Sequence, residues 1–213
     1  MNKEAKSKRP TQRSIAQKVG ISVGAVSRAL SDDPLIALKT RDLVKKTATE
    51  MGYVPDRAAQ RLRTGRTSVI SLILPPHEEI LGFGTSLVRG ISAGLGQSRY
   101  HLVVMPDFSV ETADTTVRRI VENGLADGVI LSRAEPNDIR IRYLIENDFP
   151  FVSHGRTELA TPHPYVDFDN YEFAYQSVQE LLAKGANKLM ILLPPEHLTF
   201  RHHLRQGFTA AVR

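Results

Sequence analysis

Residues 11–30 read TQRSIAQKVGISVGAVSRAL, and this stretch decides the first part of the fold. Ile15, Ala16 and Val19 form a small apolar face on a short helix that begins near Thr11. Gly20, free of a Cβ and so at ease with positive φ, ends it. Ser22 is placed to cap a second helix, Val23 to Leu30, whose Val26, Ala29 and Leu30 face inward. Working outward, a third helix is predicted over about Lys39 to Met51, with Leu43, Val44, Thr47 and Met51 at helical spacing and a stop at Gly52. Three short helices joined by a tight Gly turn are the helix-turn-helix plan, in which the second helix enters the major groove of DNA. The face it would present is Ser22, Val23, Gly24, Ser27 and Arg28. Arg28 suits guanine O6 and N7, Ser22 and Ser27 suit phosphate oxygens, and Val23 suits a thymine methyl. The same three helices could serve as a protein-interaction module, so charge has to decide.

Residues 1–66 hold 15 Lys and Arg against 6 Asp and Glu, a net +9, while the other 147 residues hold 13 against 17, a net −4. A basic end of this density coinciding with a helix-turn-helix pattern points to a polyanion. The 213-residue chain is 41% hydrophobic and 24% charged, ordinary for globular domains with a sizeable core. It has no cysteine, which excludes disulfides, thiolate metal sites and a cysteine nucleophile. The longest apolar stretch, Val69 to Leu74, stops at Pro75-Pro76, far short of the roughly 20 residues that span a bilayer. The opening MNKEAKSKRP is basic without the apolar run of a secretory signal, so a cytoplasmic protein is expected, with no membrane partner.

From Ser68 the period changes. Strand-length runs at Val69 to Leu74, His101 to Met105, Gly128 to Leu131, Phe151 to Ser153 and Lys188 to Leu193 alternate with amphipathic stretches. Those stretches are Leu81 to Gln97, Val110 to Asn123, Asp138 to Asn147, Tyr171 to Lys184 and Arg201 to Val212. Strand then helix, repeated, predicts an α/β domain with a mostly parallel sheet, which places ligands at the carboxyl ends of its strands. No enzymatic constellation is present: His77-Glu78-Glu79 lacks the second His of a zincin helix, and there is no G-x-S-x-G elbow or Walker A run. His202-His203 are neighbours on a helix, so their rings diverge and no metal site is expected. The residues call for no cofactor and no catalysis. An enzyme anchored to DNA, or a regulator without an effector, is the competing reading.

The run Ile15-Ala16, Gly20-Ile21-Ser22, Ala25-Val26-Ser27-Arg28-Ala29-Leu30, Lys39-Thr40-Arg41, Met51-Gly52-Tyr53-Val54-Pro55 and Ala58-Ala59-Gln60-Arg61-Leu62 resembles the DNA-binding domain of the lactose/galactose-repressor family. Departures are Ser14, Ala25 and Ala37, the last where a helix-capping Ser is usual. The resemblance continues through Leu87-Val88-Arg89-Gly90-Ile91, Asp127-Gly128-Val129-Ile130-Leu131, Pro150-Phe151-Val152, Val166-Asp167-Phe168-Asp169-Asn170 and Arg205-Gln206-Gly207-Phe208. It implies an all-α helix-turn-helix domain over 1–54, a hinge over 55–66, and a periplasmic-binding-protein-like α/β effector domain. The first subdomain of that domain would run over 67–164, and 165–213 would begin a second one, left incomplete, so the sequence reads as a fragment. Function then follows as a dimeric repressor on a pseudo-palindromic double-stranded operator, controlled by a small molecule, most simply a sugar.

The resemblance adds Thr11 and Tyr53 to the DNA contacts and implies that the hinge becomes helical only on the operator, where Leu62 enters the minor groove. For the effector it points to Phe83, and strand-end placement adds Asp107, Phe108, Ser132, Arg133, His154, Gly155 and Arg156, with Asp169 on the segment between subdomains. Each has a plainer alternative: Phe83 and Phe108 as core, Asp107 as a helix cap, Arg156 paired with Glu158. The family's effector-binding Arg falls at Leu204 here, which leaves Arg201 and Arg205 as its candidates.

Overall fold

A computed structural model describes residues 9–56, 61–62, 64–74, 82–107 and 112–213. The chain forms two units, Met1–Gly65 and Arg66–Arg213. In the first, helix α1 (Gln12–Val19) starts with a reciprocal cap: the Thr11 hydroxyl accepts from the Ser14 N–H, and the Ser14 hydroxyl accepts from the Thr11 N–H. Gly20, at φ +77°, closes it. Helix α2 (Val23–Leu30) is capped by the Ser22 hydroxyl, which accepts from the Ala25 N–H at 3.1 Å. Helix α3 (Leu38–Glu50) begins at Ala37, which has no side chain to offer its free amides. The three helices bury Ile15, Ala16, Val26, Ala29, Val44 and Ala48 together, with Met51 and Tyr53 packed against them.

One expectation fails on α3. Leu43 is 49% exposed, and the inward face is Val44, Thr47 and Ala48. Positions 44, 47, 48 and 51 fall on one stripe of a 3.6-residue helix, and Leu43 lies about 100° from Val44. Of the expected hinge, 55–66, residues 57–60 and 63 lie outside those described. Arg61, Leu62 and Thr64 have helical backbone, and the Gly65 N–H closes the turn on the Arg61 carbonyl at 2.8 Å.

The second unit runs β1 (Val69–Leu74), α4 (Phe83–Leu95), β2 (His101–Pro106), α5 (Thr115–Glu122), β3 (Gly128–Ser132), α6 (Ile139–Glu146), β4 (Phe151–His154), β5 (Tyr165–Val166), α7 (Asn170–Ala183) and α8 (Thr199–Ala211). All the strands are parallel, in the order β2-β1-β3-β4-β5, with Ile70 opposite Gly128 and Ser132 opposite His154. Ile73, Val129 and Leu131 form one buried cluster with Val117 and Ile120 of α5 and Ile141 and Leu144 of α6. Near-continuous apolar strands such as VISLIL are what a sheet covered on both faces requires.

Two further differences concern the chain after β4. Tyr165–Val166 extends the same sheet as its edge strand. The run Lys188 to Leu193 is not a strand: it has no ladder partner among the described residues, and Met190 and Leu192 are 84% and 85% exposed. An apolar run makes a strand only when a neighbour takes its backbone groups. Helices α7 and α8 pack on each other so closely that a Cβ on Gly207 would overlap the Tyr171 carbonyl, so only glycine fits there.

Candidate functional site

On the helical unit, the residues predicted to meet DNA line up along α2 and its cap. Ser22, Gly24 and Arg28 are exposed, Val23 is 42% exposed and Ser27 half-buried. Thr11 and Ser22 already accept the capping bonds, which leaves each hydroxyl its own proton to donate. Tyr53 packs partly into the helical core. Leu62 is 90% exposed, an unusual position for a leucine.

On the α/β unit, a cavity of about 290 Å³ opens at the carboxyl ends of the strands. The order 2-1-3-4-5 reverses direction between β1 and β3, and crevices form at such points. Phe83, first residue of α4, sets its ring 5.2 Å from that of His154, at the end of β4. Arg133 and Ala134 follow β3, with Arg133 in the left-handed region at φ +57°. Gly155, at φ +103°, lies against Ala134, where a Cβ would come within 3.2 Å of the Ala134 side chain. Arg156 donates from Nε to Asp167 at 2.9 Å, and this bond holds its guanidinium more firmly protonated than usual despite burial. Phe168, Pro194, Pro195, Leu198 and Phe200 supply apolar wall.

Beneath the wall lies a buried ion pair. Burial pushes the Asp138 carboxyl up, but hydrogen bonds and charge from Arg140 outweigh it and hold it below the usual range. Arg140 Nη2 also donates to the carbonyls of Ser132 and Arg133. Thr199 closes the cavity: its N–H donates to the Ala134 carbonyl at 3.0 Å. It is 2% exposed, yet its hydroxyl is buried without a hydrogen-bond partner, as is that of Ser132. A buried hydroxyl left without a partner costs free energy that a hydrogen-bonding neighbour would recover.

Of the candidate effector residues, Phe83, His154 and Arg156 meet at this cavity, with Arg133 and Gly155. Four others are engaged elsewhere or outside it. Asp107 accepts from the Thr116 hydroxyl at 3.0 Å, and Asp169 caps α7 through the Glu172 N–H at 2.9 Å. Arg201 is held on the Pro194 carbonyl and Glu196, and Arg205 is exposed on α8. Arg156 pairs with Asp167 and not with Glu158. Phe108 lies outside the described residues. Sequence reasoning missed Asp167 and Thr199; Asp169 followed three residues later by Glu172 is a helix-start signal that reserves Asp169 for capping and leaves Asp167 for the site. Among the described residues no group of three His, Asp or Glu could hold a metal, and no helix is long and apolar enough to cross a membrane.

Residues 11–56 match the family described as bacterial regulatory proteins, lacI family, and residues 67–213 match the periplasmic binding proteins and sugar binding domain of LacI family. The HTH-type transcriptional regulator AglR of Rhizobium meliloti (strain 1021) is 36% identical over 203 residues, covering 93% of this chain and 56% of that protein. RafR of Escherichia coli, also an HTH-type transcriptional regulator, is 32% identical over 94% of this chain and 60% of its own length. The chain thus spans less than two thirds of these relatives. Among solved structures, the lac repressor dimer bound to operator and the anti-inducer ONPF superposes with a TM-score of 0.77 at 21% identity, over 96% of this chain and 62% of the other, a likeness of fold. The transcriptional regulator CelR in complex with cellobiose gives 0.58 at 26% identity, over 96% and 61%.

Proposed function

The chain belongs to the LacI family of bacterial regulatory proteins, and from that premise we propose that the whole protein is a transcriptional repressor whose hold on operator DNA is set by a small polyhydroxylated ligand. The observation that carries this reading is one chain bearing both an exposed α2 face with Arg28 on a basic helical unit and a strand-end cavity. Residues 1–54 act as the DNA-binding domain and 55–66 as the hinge, 67–164 form the first effector subdomain, and 165–213 begin the second. Arg28 reads a base edge, Ser22, Ser27 and Thr11 take phosphate oxygens, Val23 and Gly24 let the helix sit close, Tyr53 steadies the module, and Leu62 enters the minor groove.

In the cavity, the Phe83 and Phe168 rings suit the apolar faces of a sugar, while Thr199, Arg156 and Asp167 offer polar contacts. The ligand in the CelR complex, cellobiose, is of this chemical kind. A homodimer is supported by the edge strand β2, where Val103 and Val104 are 42% and 39% exposed, and by α4, which is apolar but buries no residue. Its place is the cytoplasm, with the DNA. Ligand acts by preferring one of two arrangements of the subdomains, and a ligand with equal affinity for both would switch nothing.

The test uses the full-length protein. Selection from a random duplex library should return a pseudo-palindrome, and a melting screen against neutral mono- and disaccharides, sugar phosphates and nucleosides should find one class that raises the melting temperature and changes affinity for that duplex. Absence of any duplex preference would end the DNA reading, and absence of any ligand response would end the sensor reading.

A further inference from the structure

The Asp127 carboxylate, in the loop between α5 and β3, gathers the two residues through which the chain enters β1. One oxygen accepts from the Thr67 N–H at 2.7 Å and the Thr67 hydroxyl at 2.8 Å, and the other accepts from the Ser68 N–H at 2.9 Å. The Thr67 hydroxyl accepts in turn from the Val69 N–H, and the Asp127 N–H donates to the Val69 carbonyl at 2.8 Å. Ser68 sits at φ +55°, a conformation a non-glycine residue keeps only where its surroundings enforce it. The His101 N–H holds its carbonyl at 2.9 Å. Burial raises the Asp127 carboxyl, but the Thr67 and Ser68 bonds prevail and keep it below the usual range.

The same loop leads straight into β3, and β3 leads straight to the cavity wall at Arg133 and Ala134. At about 3.3 Å per residue the strand is a rod of roughly 17 Å. Its far end is fixed by Arg140 on the Ser132 and Arg133 carbonyls at 3.3 and 3.0 Å. One strand therefore joins the ligand cavity to the point where the hinge departs.

We propose that Asp127 is a positioning residue for operator binding: it sets where and in which direction the hinge leaves the sheet. This rests on the DNA-binding reading above. Asparagine at this position offers one acceptor oxygen and turns an NH2 toward the donors of Thr67 or Ser68.

The experiment compares full-length parent, Asp127→Asn, Thr67→Val and Thr67→Ser, with the tightest duplex selected by the parent as probe and random-sequence duplex as reference. Binding is measured well below each melting temperature, with amide exchange at Thr67 and Ser68. Asp127→Asn and Thr67→Val should lose about ten-fold or more of the preference for the probe, the scale of a lost bond to a charged group, and should exchange those amides faster. Thr67→Ser, which keeps the hydroxyl, should match the parent. An unchanged preference in Asp127→Asn overturns the proposal, as does a loss that tracks the melting temperature or falls equally on random duplex, since that marks structural support alone. A parent that selects no duplex overturns the DNA-binding reading first, and this one with it.

Discussion

The α2 face and the strand-end cavity treat their polar groups in opposite ways. On α2 the capping bonds are made within the helix itself, and what remains, Arg28 above all, stands in water at no cost until a partner arrives. In the cavity the walls are largely apolar, and the Thr199 hydroxyl is buried with no protein partner, a condition that costs about 1–3 kcal/mol. An exposed site can wait unoccupied indefinitely. A buried hydroxyl carries a penalty until a hydrogen-bonding partner reaches it.

The most severe way to break this contrast is Arg140→Met. It would leave Asp138, whose side chain is 1% exposed, without its charged partner and with only the backbone N–H groups of Glu135, Arg140 and Ile141 to satisfy it. The α/β unit should lose about 3–5 kcal/mol, while the helical unit, which shares none of these bonds, keeps its own unfolding transition in calorimetry. Arg28→Ala probes the other side: affinity of the full-length protein for its selected duplex should fall by about 1–3 kcal/mol and preference at one base pair per half-site should relax, with no change in melting. A variant that discriminates as the parent does would remove Arg28 from base readout.

Thr199→Val sharpens the contrast further. Replacing the unpartnered hydroxyl with a methyl of similar size should leave the unliganded protein at least as stable, yet weaken whichever ligand the melting screen identifies, by about 1 kcal/mol in titration calorimetry. If stability dropped and ligand affinity held, the hydroxyl would have a hidden structural role. Ala37→Ser should do the reverse on the helical side, giving α3 its missing cap and raising that unit's stability by about 1 kcal/mol.

The smallest effect is a pH dependence confined to the α/β unit. Burial, then the nearby charge of Arg156, holds His203 below the usual imidazole pKa, against the pull of Asp167 and Glu158. The unfolded chain therefore takes up the proton first as pH falls. The contribution of neutral His203 is complete above about pH 6.5 and is lost as the pH drops from there through its lowered value. Melting of this unit should decline more steeply below that point in the parent than in His203→Gln.

How far each region could be read from sequence follows from how local it is. The α2 face lies within eight consecutive residues, so spacing alone placed Ser22, Val23 and Arg28 on the outside. The strand-end residues Phe83, His154 and Arg156 were also legible, because a parallel sheet dictates which end holds a ligand. Asp167 and Thr199 were not: the first is chosen over Asp169 only once a helix cap claims the latter, and the second reaches the wall through the packing of α8. Lys188 to Leu193 misled because a short apolar run records what a segment could pair with, and pairing is a property of two segments. Leu43 misled because a helical stripe tolerates one neighbour too many.

The hinge is attached to β1, and β1 is an interior strand, bonded in parallel register to β2 along Val69 to Leu74 and to β3 along Ile70 to Ile73. The chain thus enters the α/β unit on a strand whose bonds to both neighbours would have to slide together before it could be drawn out. Drawn along its own axis, a strand paired on both sides shares the force among many bonds, where an edge attachment can peel open one bond at a time. Tension on the tether should deform the hinge well before it extracts the strand.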